Sequence, residues 1–128
     1  AAMEGTGKEI GMHAHNNQQL AFANTVEAII LGANRVDATM MGLGRGAGNC
    51  PMELLLGFLR NPKFKLRPIL QVLQDHIAPL QQKLTWGPLI PFNLTGQLNQ
   101  HPRAAIKFLD GPDRHNFVKF YDEVIRDM

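Results

Sequence analysis

The period of apolar positions changes twice along the chain. Ile10 to His15 is a short run that opens apolar and closes polar, as a strand does when it reaches a site at its carboxyl end, and Asn16 or Asn17 is placed to cap the next element. From Leu20 the pattern turns helical. Phe22, Val26, Ile29, Ile30 and Ala33 trace a broad apolar stripe, while Leu20, Ala23, Asn24, Glu27 and Leu31 trace another side and Gly32 stands near the end. Arg35 to Met41 reads as a second strand. A strand, helix and strand of these lengths predict the parallel crossover of α/β proteins. The run Gly42-Leu43-Gly44-Arg45-Gly46-Ala47-Gly48-Asn49 then leaves the carboxyl end of the second strand, and Pro51 suits the first turn of another helix.

Past Asn61-Pro62 the texture changes, which divides the chain into residues 1–61 and a helical region, 62–128. Lys65 to Leu84 carries Leu66, Ile69, Leu70, Leu73, Ile77 and Leu80 at helical spacing, with Pro79 expected to bend or end the helix. The segment Trp86 to Phe92 is apolar and rich in turn formers. Short helices are predicted at Asn93–Asn99 and Arg103–Leu109, and a last one carries Phe117, Phe120, Tyr121, Val124 and Ile125 in register.

The bulk properties exclude several classes. The 128 residues are 45% apolar, enough for one core, and no apolar run approaches the ~20 residues of a membrane span, so the chain is expected to be soluble with no membrane partner. Thirteen basic and eleven acidic residues are interspersed, giving +2, which is no nucleic-acid-binding stripe. The single cysteine, Cys50, excludes an intrachain disulfide, and no signal peptide precedes it; both point to the cytoplasm. The opening Ala1 to Gly7 lacks a first-position methionine and runs almost at once into a strand, from which a piece of a longer protein is expected.

The candidate chemistry lies at the ends of the two strands. In an extended segment His13 and His15 share a face about 7 Å apart at the backbone while Ala14 turns to the other, so the two imidazoles can converge on one ion. The glycine run, five small residues in the seven from Gly42 to Gly48, allows close backbone approach to a ligand, and the Asn49 side-chain oxygen is either a third ligand or a cap for the helix at Pro51. The run lacks the Lys-Ser/Thr of a P-loop and the spacing of a dinucleotide fingerprint. Arg45 is either a carboxylate-binding fork or a solvated loop residue. Cys50 is read as packed and inert rather than nucleophilic, and Asn24 as a buried amide bonded to loop backbone. His76, His101 and His115 have no ligand partner at metal-binding spacing, and no chemistry is assigned to them.

These motifs, His-x-His-Asn-Asn followed by Ala21-Phe22-Ala23-Asn24, Gly32-Ala33, Val36-Asp37 and Gly-x-Gly-x-Gly-Ala-Gly-Asn with Glu53, resemble the DRE-TIM metallolyase superfamily, and within it the 4-hydroxy-2-oxovalerate aldolase type. The resemblance spans roughly residues 9 to 60 and implies an α/β fold: the C-terminal strands and helices of a (β/α)8 barrel, followed by a small, mainly helical region. It also implies that His13, His15 and Asn49 are metal-binding positions, with Mn²⁺ or Mg²⁺ the expected ion. The aspartate ligand and catalytic arginine of the family's first strand have no counterpart in this chain, so the catalytic residues stay unknown and the chain alone is expected to be inactive. The implied reaction cleaves a 4-hydroxy-2-oxo acid to pyruvate and an aldehyde, with Arg45 a candidate substrate contact. Acyl-CoA-dependent condensing synthases share the skeleton and are the alternative, as is a noncatalytic metal-binding module. A homo-oligomer is expected, because two barrel strands leave open sheet edges. The tail departs in sequence from the domain that meets a partner dehydrogenase in some of the resembling aldolases, so such a partner is not expected.

Overall fold

The computed structural model describes residues 2–126. Two short parallel strands, β1 (Gly11–Met12) and β2 (Arg35–Val36), pair with Gly11 opposite Arg35 and Met12 opposite Val36. Helix α1 (Ala21–Ile30) connects them, and the predicted crossover is present. The cap position of its first turn is Leu20, not the expected Asn16 or Asn17, but the Asn16 carboxamide oxygen accepts the Ala21 N–H at 3.1 Å and so satisfies one open donor there.

The face that α1 buries is rotated from the predicted stripe. Ala21 and Thr25 are fully buried and Phe22, Val26 and Ile29 partly so, whereas Ile30 is 71% exposed. Thr25 tolerates burial because its hydroxyl donates to the Ala21 carbonyl one turn back, at 2.7 Å. Asn24, expected inside, is exposed. Against this face pack Met12, Ala14, Val36, Ala38, Cys50 and Leu55, the last from α2 (Met52–Leu59), and Phe22 meets Phe58 edge to face.

The second strand is shorter than predicted. After Val36 the chain turns at Met40–Gly42, and Met41 adopts a left-handed backbone, φ 53°. Both its polar backbone groups are held by distant side chains: its N–H donates to a Glu53 carboxylate oxygen at 3.0 Å, and its carbonyl accepts the Trp86 indole N–H at 3.0 Å. Such a conformation costs a non-glycine residue about 1–3 kcal/mol and persists where its surroundings fix it.

The predicted helix between Lys65 and Leu84 is present in three pieces. α3 (Leu66–Val72) widens into a π-helical stretch at Leu73–Ile77 and tightens into a 3₁₀ stretch at Ala78–Gln82. Pro79 accounts for the break, since its ring has no N–H and crowds the preceding turn. Only Leu73 of the apolar stripe is buried, and Leu66 and Leu70 are exposed. The remaining helices, α4 (Ile90–Gln97), α5 (Arg103–Leu109) and α6 (Phe117–Arg126), lie where they were predicted to within a few residues.

These three helices form a second core of Phe92, Ala105, Leu109, Phe120 and Val124, and Ala47 of the glycine run belongs to it. The glycine run is thus seated in the helical region. Among the described residues no helix is long and apolar enough to cross a membrane.

Phe92 is 1% exposed and joins the glycine run to all three helices. Phe92→Ala should therefore lower the unfolding free energy by about 3–5 kcal/mol, against about 0.5 kcal/mol or less for Ile30→Ala on the exposed flank. Urea denaturation of both variants checks the contrast.

Candidate metal centre

The predicted alternation holds past the end of β1. His13 and His15 are exposed and Ala14, between them, is 5% exposed and packed in the core. The imidazole rings stand edge to face with centroids 5.1 Å apart. Metal–nitrogen bonds are about 2.0–2.1 Å, so one nitrogen of each ring can reach a shared ion.

The glycine run folds back onto this segment. His15 and Asn49 form an isolated antiparallel bridge, and the Asn16 N–H donates to the Gly48 carbonyl at 2.9 Å. The run closes on itself through Asn49 N–H to the Gly42 carbonyl, 2.9 Å, and Gly48 N–H to the Arg45 carbonyl, 3.2 Å. Glycine is required at 48: its φ is +80°, and a Cβ there would run into the Gly42 carbonyl. A Cβ on Gly44 would sit 2.5 Å from the Asn49 amide nitrogen, so that side chain is walled in by backbone.

Asn49 is 8% exposed. Its amide nitrogen donates to the Leu43 carbonyl at 3.2 Å, but its Oδ1 is buried with no hydrogen-bond partner. It does not cap α2, whose first turn has no side-chain cap. A buried acceptor without a donor is costly, and a cation would satisfy it. Thr39 Oγ1 and Asn93 Oδ1 are also unpartnered, but of the three only Asn49 is bridged to a histidine of the His-x-His pair. Two imidazoles and a carboxamide oxygen are a donor set that fits a divalent ion. Among the described residues no three His, Cys, Asp or Glu side chains gather into a fuller ligand set.

The other candidates fall outside this cluster. Arg45 is exposed, and no side-chain hydrogen bond ties its guanidinium down among the described residues. Cys50 is fully buried; desolvation raises its thiol pKa, assisted by the Glu53 charge and opposed by a hydrogen bond with Thr25. The His101 ring accepts the Arg103 N–H, and His115 stacks edge to face on Phe117, both local roles, while His76 is exposed in the π-helical stretch. Three residues not assigned a role from sequence contact His13 or the backbone that leads into the glycine run. Asp37 reaches His13 Nδ1 at 2.9 Å, and Glu53 and Trp86 fix the backbone that leads into the glycine run. Asp37 was detectable, because extending the register of β1 and β2 by one residue places it opposite His13.

The HMGL-like family model matches residues 3–75. The 4-hydroxy-2-oxovalerate aldolase of Bacillus cereus is 40% identical over 89 residues, 64% of this chain and 26% of that protein. The oxaloacetate decarboxylase of Mycobacterium tuberculosis is 53% identical over 51 residues, 40% of this chain and 15% of that protein. Among solved structures, the N-terminal domain of a putative aldolase from Bacteroides vulgatus superposes with a TM-score of 0.71 at 31% identity, over 94% of this chain and 38% of that one. The chain thus spans about a quarter or less of the curated relatives it matches.

Burial of Cys50 gives a direct test of the packing beneath the site. The native thiol should react with a disulfide reagent at least tenfold more slowly than the unfolded chain, by the order-of-magnitude contrast between buried and exposed thiols. Absorbance of the released thiolate, with and without guanidinium, reads both rates.

Proposed function

The chain belongs to the HMGL-like family, and on that premise we propose that it carries the metal-binding part of a divalent-cation-dependent aldolase, a carbon–carbon lyase that cleaves a 4-hydroxy-2-oxo acid to pyruvate and an aldehyde. The observation that carries the reading is the buried, unpartnered Oδ1 of Asn49, a residue whose backbone is bridged to that of His15. In this reading His13, His15 and Asn49 hold the ion, Mn²⁺ or Mg²⁺ by the oxygen-rich coordination that two imidazoles, an amide and water would give. A bound ion supplies Lewis acidity to the 2-oxo and carboxylate oxygens of the substrate. The chain's own residues do the positioning. Glu53 and Trp86 hold the backbone that leads to Asn49, Ala14 anchors the His-x-His pair in the core, and the exposed Arg45 is free to meet a substrate carboxylate.

Residues 1–61 then form the C-terminal strands and helices of a (β/α)8 barrel and 62–128 a helical region against it, with the acid and arginine of the reaction supplied from elsewhere in the intact enzyme. The short share of each relative that the chain spans supports this. Exposed Ile30 and Leu31 beside a two-stranded sheet favour homo-oligomerisation of this chain taken alone, without the other strands of the barrel.

The similarity to an oxaloacetate decarboxylase favours a second reading in the same chemistry. Both 4-hydroxy-2-oxovalerate and oxaloacetate are 2-oxo acids, and breaking the C3–C4 bond of either leaves the enol of pyruvate, with an aldehyde or CO₂ as the other product.

Two measurements test the proposal. Intact enzyme given pyruvate and Mn²⁺ in D₂O should deuterate the pyruvate methyl group without any CoA ester, and chelator should abolish the exchange; NMR follows it. Aldehyde against CO₂ release separates aldolase from decarboxylase. No exchange, together with condensation on adding acetyl-CoA, would identify a synthase instead. In metal titrations His13→Ala and His15→Ala should each weaken binding at least tenfold, on the order expected when a ligand is lost, while His76→Ala, His101→Ala and His115→Ala stay at wild-type affinity. Equal affinities across the five variants would end the assignment of the centre.

A further inference from the structure

The carboxylate of Asp37 lies 2.9 Å from His13 Nδ1 and has no other side-chain partner among the described residues. Its place is fixed by the sheet. The Asp37 N–H donates to the Met12 carbonyl at 2.9 Å, which carries the β1–β2 register one residue further and puts the two side chains on one face. Glu9 and Arg35 nearby are paired with each other, so neither competes for Asp37 or for the ring.

The pair contributes little to the stability of the fold. Both side chains are half-exposed or more, and an ion pair in water is worth about 0–1 kcal/mol. Its chemical effect is larger. A carboxylate only accepts hydrogen bonds, so the ring nitrogen facing it must carry the proton, and the lone pair of the neutral ring is left on Nε2. A histidine bound to a metal through one nitrogen commonly donates its other N–H to a carboxylate, which sets both tautomer and ring orientation.

We propose that Asp37 is a positioning residue of the candidate metal centre, holding His13 in the Nδ1–H tautomer so that Nε2 is presented to the ion. The proposal rests on the reading of His13 as a ligand, and its test separates the two. In the metal-free protein, long-range ¹H–¹⁵N spectra should show the His13 ring protonated at Nδ1. In Asp37→Ala the ring should move to the Nε2–H form that free imidazole side chains favour in water, and Mn²⁺ affinity should fall about 10–100-fold. Asp37→Asn, which keeps an acceptor oxygen, should recover part of both. The backbone hydrogen bond to Met12 survives in either variant, so thermal unfolding should not move.

An unchanged His13 tautomer in Asp37→Ala would overturn the proposal whatever the metal affinity does. So would wild-type Mn²⁺ affinity in Asp37→Ala where His13→Ala abolishes binding. Undiminished binding in His13→Ala would instead remove the metal centre itself, and the proposal with it.

Discussion

The backbone bridge between His15 and Asn49 is the contact on which the rest of the site depends. It joins the end of the first strand to the end of the glycine run across thirty-four residues of sequence, and the 2.9 Å bond from Asn16 N–H to the Gly48 carbonyl fixes its register. Closing so long a loop costs entropy, which the sheet and α1 offset by first bringing the strands side by side. Only a residue without a side chain fits at position 48, because the run must cross within contact of the Gly42 carbonyl. The glycines serve backbone-to-backbone approach as well as approach to a ligand.

That bridge is held from two sides. On one, Ala14, Ala21, Cys50 and Leu55 form the core beneath the histidines. On the other, Ala47 is packed among Phe92, Ala105, Leu109, Phe120 and Val124, while the Gly87 N–H donates to the Gly46 carbonyl at 3.1 Å. A division of the chain at residue 61 follows its pattern of prolines and periodicity but not its contacts at the site. Atoms of the helical region set the conformation of the loop that carries Asn49, so the two parts are energetically coupled there.

What the sequence made legible was the local part. Alternation at His13, Ala14 and His15, the bond from the Ala21 N–H to Asn16 and the crossover from β1 to β2 depend on neighbours within a few turns of chain, and the structure has them all. Structure and pattern part where a distant partner decides. Met41 carries no residue-type signal for a left-handed backbone; its constraint comes from Glu53 and Trp86, twelve and forty-five residues away. Thr25 rather than Asn24 is buried in α1, because a hydroxyl can be satisfied by the helix's own carbonyl, while a carboxamide inside would need partners that this small core lacks. The π-helical stretch before Pro79 was foreseeable as a break, but its form was not.

Trp86 adds a consequence of an optical kind. It is the chain's single tryptophan, is 6% exposed, and its indole N–H is bonded to the carbonyl of the strained Met41 at the mouth of the glycine run. Indole emission depends on hydrogen bonding and on access of water to the ring. The protein therefore carries its one indole at the junction of its helical region and the glycine run, and the colour and intensity of its emission report on that contact without any label.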